Sequence, residues 1–340
     1  MNIQTNIPLK NFTTMRLGGP ARFFADAHTP EDVRNLVLGA KKQDIPFFII
    51  GGGSNLIARD EGYSGLVLRM RIPGFTILED TASTTTLKIG AGEIWDSVVE
   101  RSVAMSLSGI ETMSAIPGTA GAAPVQNVGA YGQEIAETLV SLEAYDTQND
   151  TFVVLKNEDC DFSYRHSIFR GSEQGRYIIT SITLTLYKTL PSPPFYDTLQ
   201  AYLDAHHIQF FTHQSIRDAV IAIRSEKLPD PTKIANSGSF FKNSIVDAWQ
   251  ADGIKTKYPD VRLFEMADGR VKVPIGWLIE KAGLKGMALH GMKVYEKNAL
   301  VLVNEAASGY KDLAEARNEI ITKIQSEFQI TIEQEPLEIV

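Results

Sequence analysis

Residues 46–70 read PFFIIGGGSNLIARDEGYSGLVLRM, a short apolar strand followed by three glycines. Glycine lets a backbone approach a phosphate closely, and successive N–H groups can form a nest for an anion. The stretch lacks the Lys-Ser/Thr ending of a P-loop, and no amphipathic helix follows it as in a dinucleotide-binding fingerprint. Two interpretations therefore stay open for Gly51, Gly52, Gly53, Ser54 and Asn55: a phosphate-binding turn and a plain glycine turn.

The residues before this stretch predict a β-α-β opening. ARFFADA (21–27) has the composition of a strand. Thr29 and Pro30 are typical of a helix N-cap and first turn, and the apolar residues of 33–40 follow at helical spacing. The strand PFFII (46–50) completes the unit.

Strand signals dominate from about residue 84 to 188, where ITLTLYK (182–188) alternates apolar residues with threonine. One helix is predicted there, from Ile94 to about Leu107. Beyond the proline-rich connector LPSPPFYD (190–197), the pattern predicts an α/β region. Its expected helices are 197–206, 215–224, 274–281 and 310–328, and its expected strands are ALVLVN (299–304) and ITIEQE (330–335). The predicted fold class is α+β.

Composition limits the classes of partner. The chain has 340 residues, a formal net charge of -8 and a sequence pI of about 5.4, which favours two or three domains and argues against nucleic acid or an anionic membrane as a partner. Cys160 is the one cysteine, so no internal disulfide is expected, and the histidines lack a metal-binding spacing. With no signal peptide or membrane-span pattern, the sequence predicts a reducing, cytoplasmic location.

A second stretch, IPGTAGAAPVQNVGAYG (116–132), has four glycines, four alanines and no charged residue. Most connections are shorter than this, and no helical periodicity organises it. Such a loop can wrap a flat, neutral, hydrogen-bonding ligand. A buried structural loop is the alternative.

Charged side chains outside these loops supply further candidates. Arg165 lies among aromatic and apolar neighbours in FSYRHSIFR (162–170), where a permanently charged guanidinium needs an anionic partner. A structural carboxylate is the usual partner of such an arginine, and a bound anion is the functional alternative. Arg224, Lys227 and Lys242 add positive charge to an acidic chain, either as a phosphate-binding patch or as solvated surface residues. In the predicted strand ITIEQE, Glu333 and Glu335 are expected to share one face, usually the wet face of an edge strand.

Ser239 stands in IANSGSFFKN (234–243), between a glycine and two phenylalanines. From the residues alone, Ser239 can be a nucleophile, a phosphate-binding group, a turn residue or an acid. The segment lacks the nucleophile-elbow pattern, which disfavours the nucleophile.

Six motifs occur in order: TTMRLGGPA, GGGSNLI, IPGTAGAAPVQNVGAYG, YRHSIF, KLPDP and GSFFKN. With them the chain resembles the UDP-N-acetylenolpyruvoylglucosamine reductases from about Asn11 to Glu335. The resemblance implies two FAD-binding lobes of the vanillyl-alcohol-oxidase type (1–75 and 76–225), a substrate-binding domain (226–328) and a C-terminal strand segment (329–340). It also implies that NADPH reduces a non-covalent FAD, which then reduces the enolpyruvyl group of the UDP-sugar to UDP-N-acetylmuramate.

The resemblance implies roles for individual residues. Arg165 would stabilise the enolate-like charge, Ser239 would donate the proton, and Glu335 would complete the catalytic set. The FAD pyrophosphate would lie on Gly51–Asn55, and the rest of the cofactor along Pro117, Gly118, Gly121, Asn127, Gly129, Ala130, Tyr131 and Gly132. Tyr196, Lys227, Asn243 and Asn298 match positions that contact the UDP-sugar, and Arg224 and Lys242 are expected to add positive charge there.

Three departures from the family pattern bear on the site: Tyr295 where relatives often carry histidine, Ala122-Ala123 in place of a small polar pair, and Pro336 beside Glu335. Two other functions stay open, another FAD oxidoreductase of the same superfamily and a non-catalytic nucleotide-sugar-binding protein. The second would be marked by loss of Arg165, Ser239 or Glu335, and all three are present. The expected partners are small molecules, with no nucleic acid, membrane or metal, and a monomer is predicted.

Overall fold

The computed structural model describes residues 2–340. Within that range the α-helices are α1 (Pro30–Lys42), α2 (Trp95–Ala104), α3 (Asp197–Ala205), α4 (His213–Lys227), α5 (Ala248–Lys257), α6 (Ile275–Lys281) and α7 (Tyr310–Phe328). The strands are β1 (Gln4–Pro8), β2 (Pro20–Ala27), β3 (Phe47–Ile50), β4 (Leu56–Ala58), β5 (Tyr63–Met70), β6 (Phe75–Asp80), β7 (Thr84–Gly90), β8 (Gly129–Ala130), β9 (Gln133–Glu134), β10 (Leu139–Asp146), β11 (Thr151–Lys156), β12 (Tyr177–Tyr187), β13 (Asn236–Ser239), β14 (Ser244–Val246), β15 (Phe264–Glu265), β16 (Val271–Val273), β17 (Ala288–Leu289), β18 (Met292–Val294), β19 (Val301–Asn304) and β20 (Leu337–Ile339).

The chain divides into two compact units. Unit 1 consists of residues up to 7, 21–53 and 64–225, and unit 2 consists of residues 8–20, 54–63 and 226–340. The boundary near residue 225 coincides with one of the predicted domain limits, and the finer division into four segments stays a prediction.

Unit 1 is built on two sheets. One has the strand order β1-β2-β5-β3, with β3 parallel to β5, and the other has the order β11-β10-β12-β7-β6 and is antiparallel. The predicted alternation in β12 is confirmed, because Ile182, Leu184 and Leu186 are fully buried while the threonines between them are half-buried. The short pair β8-β9 lies at the end of the glycine-alanine loop.

Helix α1 begins as the sequence predicts. Thr29 Oγ1 accepts the Asp32 N–H at 3.1 Å, and the Asp32 carboxylate accepts the Thr29 N–H at 3.0 Å. Pro30 occupies the first turn, where backbone N–H groups have no acceptor within the helix, so the missing N–H of proline costs no hydrogen bond. The buried residues Val33, Leu36, Val37 and Ala40 turn one face of the helix into the core of unit 1.

Unit 2 has the sheets β13-β19-β18-β17 and β14-β16-β15 and the parallel pair β20-β4. Helix α7 covers 310–328 as predicted, and buries five apolar residues of its core-facing stripe. Helix α5 was not predicted, because Ala251 and Ile254 are its only buried residues and leave almost no apolar periodicity.

The predicted strand at 330–335 is wrong. Ile330 and Ile332 are buried in the core of unit 2, which explains the alternation, but the segment makes one isolated bridge, Phe241 to Gln334. A strand needs a partner along its length. Among residues 2–340, the backbone–backbone hydrogen bonds that pair this segment with the chain near Phe240 are those from the Glu335 N–H to Phe240 and from the Lys242 N–H to Glu333. The regular strand is β20, which pairs with β4.

No helix among residues 2–340 is both long enough and apolar enough to span a bilayer.

Candidate functional site

The two glycine-rich segments of unit 1 pack against each other. A Cβ on Gly52 would lie 2.9 Å from the Gly118 Cα, and a Cβ on Gly51 would collide with Thr119 Oγ1. Gly52 is therefore explained by close packing on the backbone of the 116–132 loop, and Gly51 by its contact with the Thr119 side chain of that loop. The same packing brings the two predicted cofactor segments together, which neither stretch of sequence reveals.

The loop itself is held by its own polar contacts. Buried Asn127 adopts the left-handed conformation, with φ 46°, and donates to Glu134 Oε2 at 2.7 Å and to the Ser163 carbonyl at 3.2 Å. Its side-chain oxygen accepts the Ala136 N–H at 3.2 Å. Because these bonds occupy its polar atoms, Asn127 fixes the path of the loop, and its contact with a cofactor stays a prediction.

The remaining cofactor candidates differ in their surroundings. Pro117 and Gly132 are exposed, whereas Gly118, Gly129, Ala130 and Tyr131 are half-buried. Gly121 is buried. A side chain has no room there, because a Cβ on Gly121 would lie 2.5 Å from the Cβ of Ala91. Of the 51–55 turn, Gly51–Gly53 belong to unit 1 and Ser54 and Asn55 to unit 2, where the Asn55 carbonyl accepts the Leu337 N–H at 3.0 Å.

Unit 1 contains a feature that fits a bound FAD. Thr119 Oγ1 is buried and has no hydrogen-bond partner among residues 2–340, at the point where the two glycine-rich segments meet. A buried hydroxyl in this state is normally satisfied by a ligand or an ordered water. Around it the loop carries small, uncharged residues, which suit the flat, neutral ring system of a flavin.

Arg165 occupies a strained turn beside this loop. The backbone of Ser163 and His166 exchanges hydrogen bonds of 3.3 and 3.0 Å, so Tyr164 and Arg165 form the tip of a two-residue turn. Arg165 has φ 54°, and a left-handed conformation at a residue other than glycine is a frequent mark of a functional site. Its guanidinium donates to the Gly129 carbonyl at 3.2 Å and lies 5.2 Å from the Tyr164 ring centroid.

Tyr196 lies at the start of α3 and is 48% exposed. Its ring meets that of Tyr131 edge to face, with centroids 6.2 Å apart. Tyr131 also packs on the cluster formed by α3 and α4, so the proline-rich connector and the glycine-alanine loop converge. Burial raises the pKa of Tyr131, while the positive charge of Arg224 opposes that rise.

Helix α4 carries two arginines two turns apart, with different surroundings. Arg217 is buried and forms a bidentate pair with Asp96 of α2, with contacts of 2.7 and 3.1 Å. Arg224 makes no hydrogen bond or ion pair within residues 2–340, and its Nε is buried. Burial lowers the pKa of Arg224, and Tyr131 and Asp96 are the ionisable groups close enough to oppose this. Lys227, at the exposed end of the same helix, belongs to unit 2.

Ser239 lies at a β-bulge in unit 2. The register of β13 against β19 runs from Asn236–Val303 to Ser239–Val301, so β13 carries one extra residue. Gly238 takes φ 74° there, and the Asn236 side chain accepts its N–H at 2.9 Å. The bulge leaves Ser239 half-buried, and its hydroxyl makes no hydrogen bond within residues 2–340. The following residues, Phe240 and Phe241, are buried and anchor this end of the strand.

Glu335 lies on the neighbouring segment. Its N–H donates to the Phe240 carbonyl at 2.8 Å, so its backbone is hydrogen-bonded to the residue that follows Ser239. The prediction that Glu333 and Glu335 share a wet face is wrong. Glu335 is only 8% exposed, whereas Glu333 is exposed and pairs with Lys242 at 3.4 Å. The alternation of a regular strand does not apply, because the segment holds a single bridge.

The other predicted substrate-binding residues all belong to unit 2. Asn243 Oδ1 accepts the Ile275 N–H at 3.0 Å and so caps α6. Asn298 Oδ1 accepts the Leu300 N–H at 3.1 Å in the turn before β19. Lys242 is half-buried and Lys227 is exposed. Their contacts with a UDP-sugar stay predictions.

Sequence reasoning missed three hydroxyl groups. Thr119, Thr14 and Ser237 each have a buried hydroxyl with no partner among residues 2–340. Thr119 lies inside a stretch that the sequence identified, and Thr14 and Ser237 lie inside quoted motifs. In the sequence, the one sign of these hydroxyl groups is a threonine or serine among small residues. That pattern does not show that the hydroxyls are buried, which only the structure reveals.

Comparison with known proteins agrees with this organisation. Residues 21–155 match the FAD binding domain family, and residues 230–339 match the family described as UDP-N-acetylenolpyruvoylglucosamine reductase, C-terminal domain. The UDP-N-acetylenolpyruvoylglucosamine reductase of Ralstonia nicotianae is 38% identical over 338 residues, which cover 98% of each chain. The protein of that name from Pseudomonas aeruginosa is 37% identical over 99% of this chain and 98% of its own.

A solved structure supports the fold. The crystal structure of UDP-N-acetylenolpyruvylglucosamine reductase from Thermus caldophilus superimposes with a TM-score of 0.69 and 22% identity, covering 99% of each chain. At this identity the likeness concerns the fold alone. With the FAD binding domain match, it confirms the predicted α+β architecture of an FAD-binding module followed by a second domain.

Proposed function

Because the chain belongs to the UDP-N-acetylenolpyruvoylglucosamine reductase family, we propose that it reduces UDP-N-acetylglucosamine enolpyruvate to UDP-N-acetylmuramate with electrons from NADPH. FAD, when bound, carries the two electrons between the two substrates. The reaction supplies a peptidoglycan precursor, and so serves cell-wall synthesis, cell shape and cell division. We place the enzyme in the cytoplasm, as a monomer.

The observation that supports this proposal most directly is the position of Ser239. Reduction of the enolpyruvyl double bond requires a proton at the carbon that does not receive the hydride. Ser239 has a hydroxyl with no partner among residues 2–340, held at a bulge whose geometry Asn236 and Gly238 fix. In this proposal Ser239 donates that proton as a general acid.

Two charged residues complete the chemistry. Hydride addition builds negative charge on the carboxylate side of the substrate, and the Arg165 guanidinium stabilises it. Glu335, buried and hydrogen-bonded through its backbone to Phe240, polarises the carboxylate or relays the proton. The strained φ of Arg165 supports its assignment, because such strain is commonly retained where a side chain must be aimed.

Binding of the UDP-sugar is assigned to Tyr196, Arg224, Lys227, Lys242, Asn243 and Asn298. Lys227 and Lys242 supply cations for the pyrophosphate, and Lys242 would exchange its 3.4 Å contact with Glu333 for a phosphate oxygen. Cofactor binding is assigned to the 51–55 turn and the 116–132 loop, with Thr119 added to the predicted set because its hydroxyl needs a partner.

The proton-donor role is tested by separating the two half-reactions. Reduction of FAD by NADPH needs no proton for the sugar substrate, whereas reoxidation by the substrate does. Ser239→Ala is expected to leave the first step nearly unchanged and to slow the second by roughly 10²–10⁴-fold, the usual effect of losing a general acid. Ser239→Cys should recover part of the rate, because a thiol can also donate a proton.

Stopped-flow absorbance of the flavin measures both steps. Ser244→Ala is the matched control, since it removes a serine of the same unit whose hydroxyl makes only an exposed 3.0 Å bond to the Thr331 carbonyl. Equal slowing of both steps in Ser239→Ala would show a structural serine. A wild-type protein whose reduced flavin reacts with oxygen but not with the UDP-sugar would favour another FAD oxidoreductase instead.

A further inference from the structure

The segment that carries Glu335 is held by side-chain contacts with helix α7. Arg317 of α7 donates to Gln334 Oε1 at 2.7 Å and to Glu338 Oε1 at 2.6 Å. The Gln334 side-chain amide donates in turn to Glu338 Oε1 at 3.2 Å and to the Pro336 carbonyl at 3.1 Å. We call the three side chains Arg317, Gln334 and Glu338 the α7 clamp. They bind the chain on both sides of Glu335.

The α7 clamp is partly shielded from solvent, which strengthens its charged contacts. The side chains of Arg317 and Glu338 are only 17% and 16% exposed. Both oxygens of Glu338 have further donors, since Tyr310 donates to Oε1 at 2.9 Å and Arg59 to Oε2 at 2.9 Å. Although burial acts against it, these donors and Arg317 hold the pKa of Glu338 below its ordinary value. Glu338 therefore stays ionised at neutral pH and keeps its charge-assisted bond with Arg317.

The backbone alone does little to fix Glu335. Its N–H donates to the Phe240 carbonyl at 2.8 Å. The next residue is Pro336, which has no N–H to donate, so the next backbone donor is Leu337 at the start of β20. A reacting group that is displaced by about 1 Å can lose roughly 100-fold in rate. The placement of Glu335 therefore depends on the side chains beside it.

We propose that Arg317 is a positioning residue for the reduction of the UDP-sugar, because it holds Glu335 in place through Gln334 and Glu338. It acts on the chain that flanks Glu335 and not on the substrate itself. This inference rests on the proposed function, since it requires Glu335 to take part in that step. Loss of the α7 clamp should then slow reoxidation of the reduced flavin by the UDP-sugar and leave reduction by NADPH unchanged.

The chain offers a matched control for Arg317 in Arg59. Both arginines pair with Glu338, and both lie over the Tyr310 ring, at 6.0 Å and 5.5 Å from its centroid. Of the two, Arg317 also donates to Gln334. Arg59→Met therefore makes the same change in net charge as Arg317→Met and removes one contact of Glu338, but it leaves the contacts of Gln334 in place.

Stopped-flow absorbance of the flavin in the holoenzyme measures both half-reactions. Arg317→Met is expected to slow reoxidation by UDP-N-acetylglucosamine enolpyruvate by roughly 10- to 100-fold, with reduction by NADPH and KM for the UDP-sugar unchanged. Arg59→Met should keep both rates. Arg317→Lys should recover part of the lost rate, because an ammonium keeps the charge but not the two-way fork of a guanidinium.

A second variant keeps the test decisive if Arg317→Met fails to fold. Gln334→Leu breaks the α7 clamp and leaves the Arg317–Glu338 ion pair, so it should give the same selective slowing of reoxidation. Hydrogen exchange followed by mass spectrometry adds a measurement that needs no substrate. Exchange of residues 333–338 should be faster in Gln334→Leu and Arg317→Met than in the wild type or Arg59→Met.

Three results would overturn the inference. Equal slowing of both half-reactions, or loss of thermal stability alone, would make Arg317 structural. Equal slowing in Arg59→Met would show that the contact with Gln334 does not matter. Faster exchange of residues 333–338 with wild-type reoxidation would show that this segment does not set the rate.

Failure of the proposed function would look different. A wild-type protein whose reduced flavin does not react with the UDP-sugar would refute that function and this inference with it. Wild-type reoxidation in Glu335→Gln would refute the role of Glu335. Slow reoxidation in Glu335→Gln, together with wild-type reoxidation in Arg317→Met and Gln334→Leu, would refute the positioning role alone.

Discussion

Helix α4 places Arg217 and Arg224 on one face, because seven residues make almost two full turns. Arg217 has a carboxylate partner within the protein, held at 2.7 Å, and Arg224 has none among residues 2–340. The first forms an ion pair within unit 1 that is expected to stabilise the fold. The second is half-buried, and its buried Nε–H finds no acceptor among residues 2–340. Three predictions test whether this difference is real.

The largest effect is expected from Arg217→Met. The substitution leaves Asp96, whose side chain is 35% exposed, without its partner in a partly buried position. Removing one partner of a buried ion pair destabilises a protein by more than a surface ion pair stabilises it. Because Asp96 is partly exposed, the penalty is reduced, and the free energy of unfolding should fall by about 2–3 kcal/mol. Denaturant titration measures it.

The double variant Arg217→Met/Asp96→Asn provides the control for that loss. It removes both charges, and stability should recover in part because no carboxylate is left unpaired. If the single variant unfolds at the wild-type denaturant concentration, Arg217 is no more structural than Arg224, and the comparison fails.

A smaller effect of opposite sign is expected from Arg224→Met in FAD-free protein. Removing an unpaired, half-buried charge also removes its desolvation cost, so the free energy of unfolding should stay unchanged or rise by at most about 1 kcal/mol. A clear loss of stability in the FAD-free variant would mean that Arg224 has an internal role.

The smallest effect concerns pH. The pKa of Asp96 is lowered in the folded protein, although burial acts in the other direction, so the unfolded state binds the proton more readily. The Arg217–Asp96 pair therefore contributes its full stabilisation above the ordinary aspartate pKa of about 3.9. This stabilisation is lost as pH falls through the lower pKa that Asp96 has in the folded protein.

The gap in stability between the wild type and Arg217→Met should therefore be constant near neutral pH and narrow below about pH 4. Denaturant titrations of both proteins across that range measure the gap. An unchanged gap at low pH would show that Asp96 does not carry the stabilisation. Arg224→Met should follow the wild-type pH profile, because Asp96 keeps its partner there.

Much of the fold could be predicted because its signals are local. Thr29 and Pro30 mark the start of α1, the apolar stripe of 310–328 marks α7, and the alternation of 182–186 marks β12. The prediction was wrong at 330–335, where the alternation is present but the partner strand is not. Strand formation depends on a distant segment, and no local pattern reports whether one is available.

The candidate site divides in the same way. The motifs identified Arg165, Ser239 and Glu335 as residues with chemistry, but not the left-handed turn of Arg165 or the bulge at Ser239. Thr119 was passed over because a threonine in a loop has no distinguishing pattern. Its importance arises from burial without a partner, which is a property of the packed chain.

The sequence by itself determined the family, the α+β class and the residue types at the site, because these depend on motifs and on periodicity along the chain. The tertiary structure alone decided which charge is balanced. Arg217 and Arg224 are the same residue on the same helix, and both have an apolar residue just before them in sequence. They differ because Asp96, more than a hundred residues earlier in the chain, lies beside Arg217 and pairs with it. The energy of a charge inside a protein depends on its surroundings in space, which the local sequence does not show.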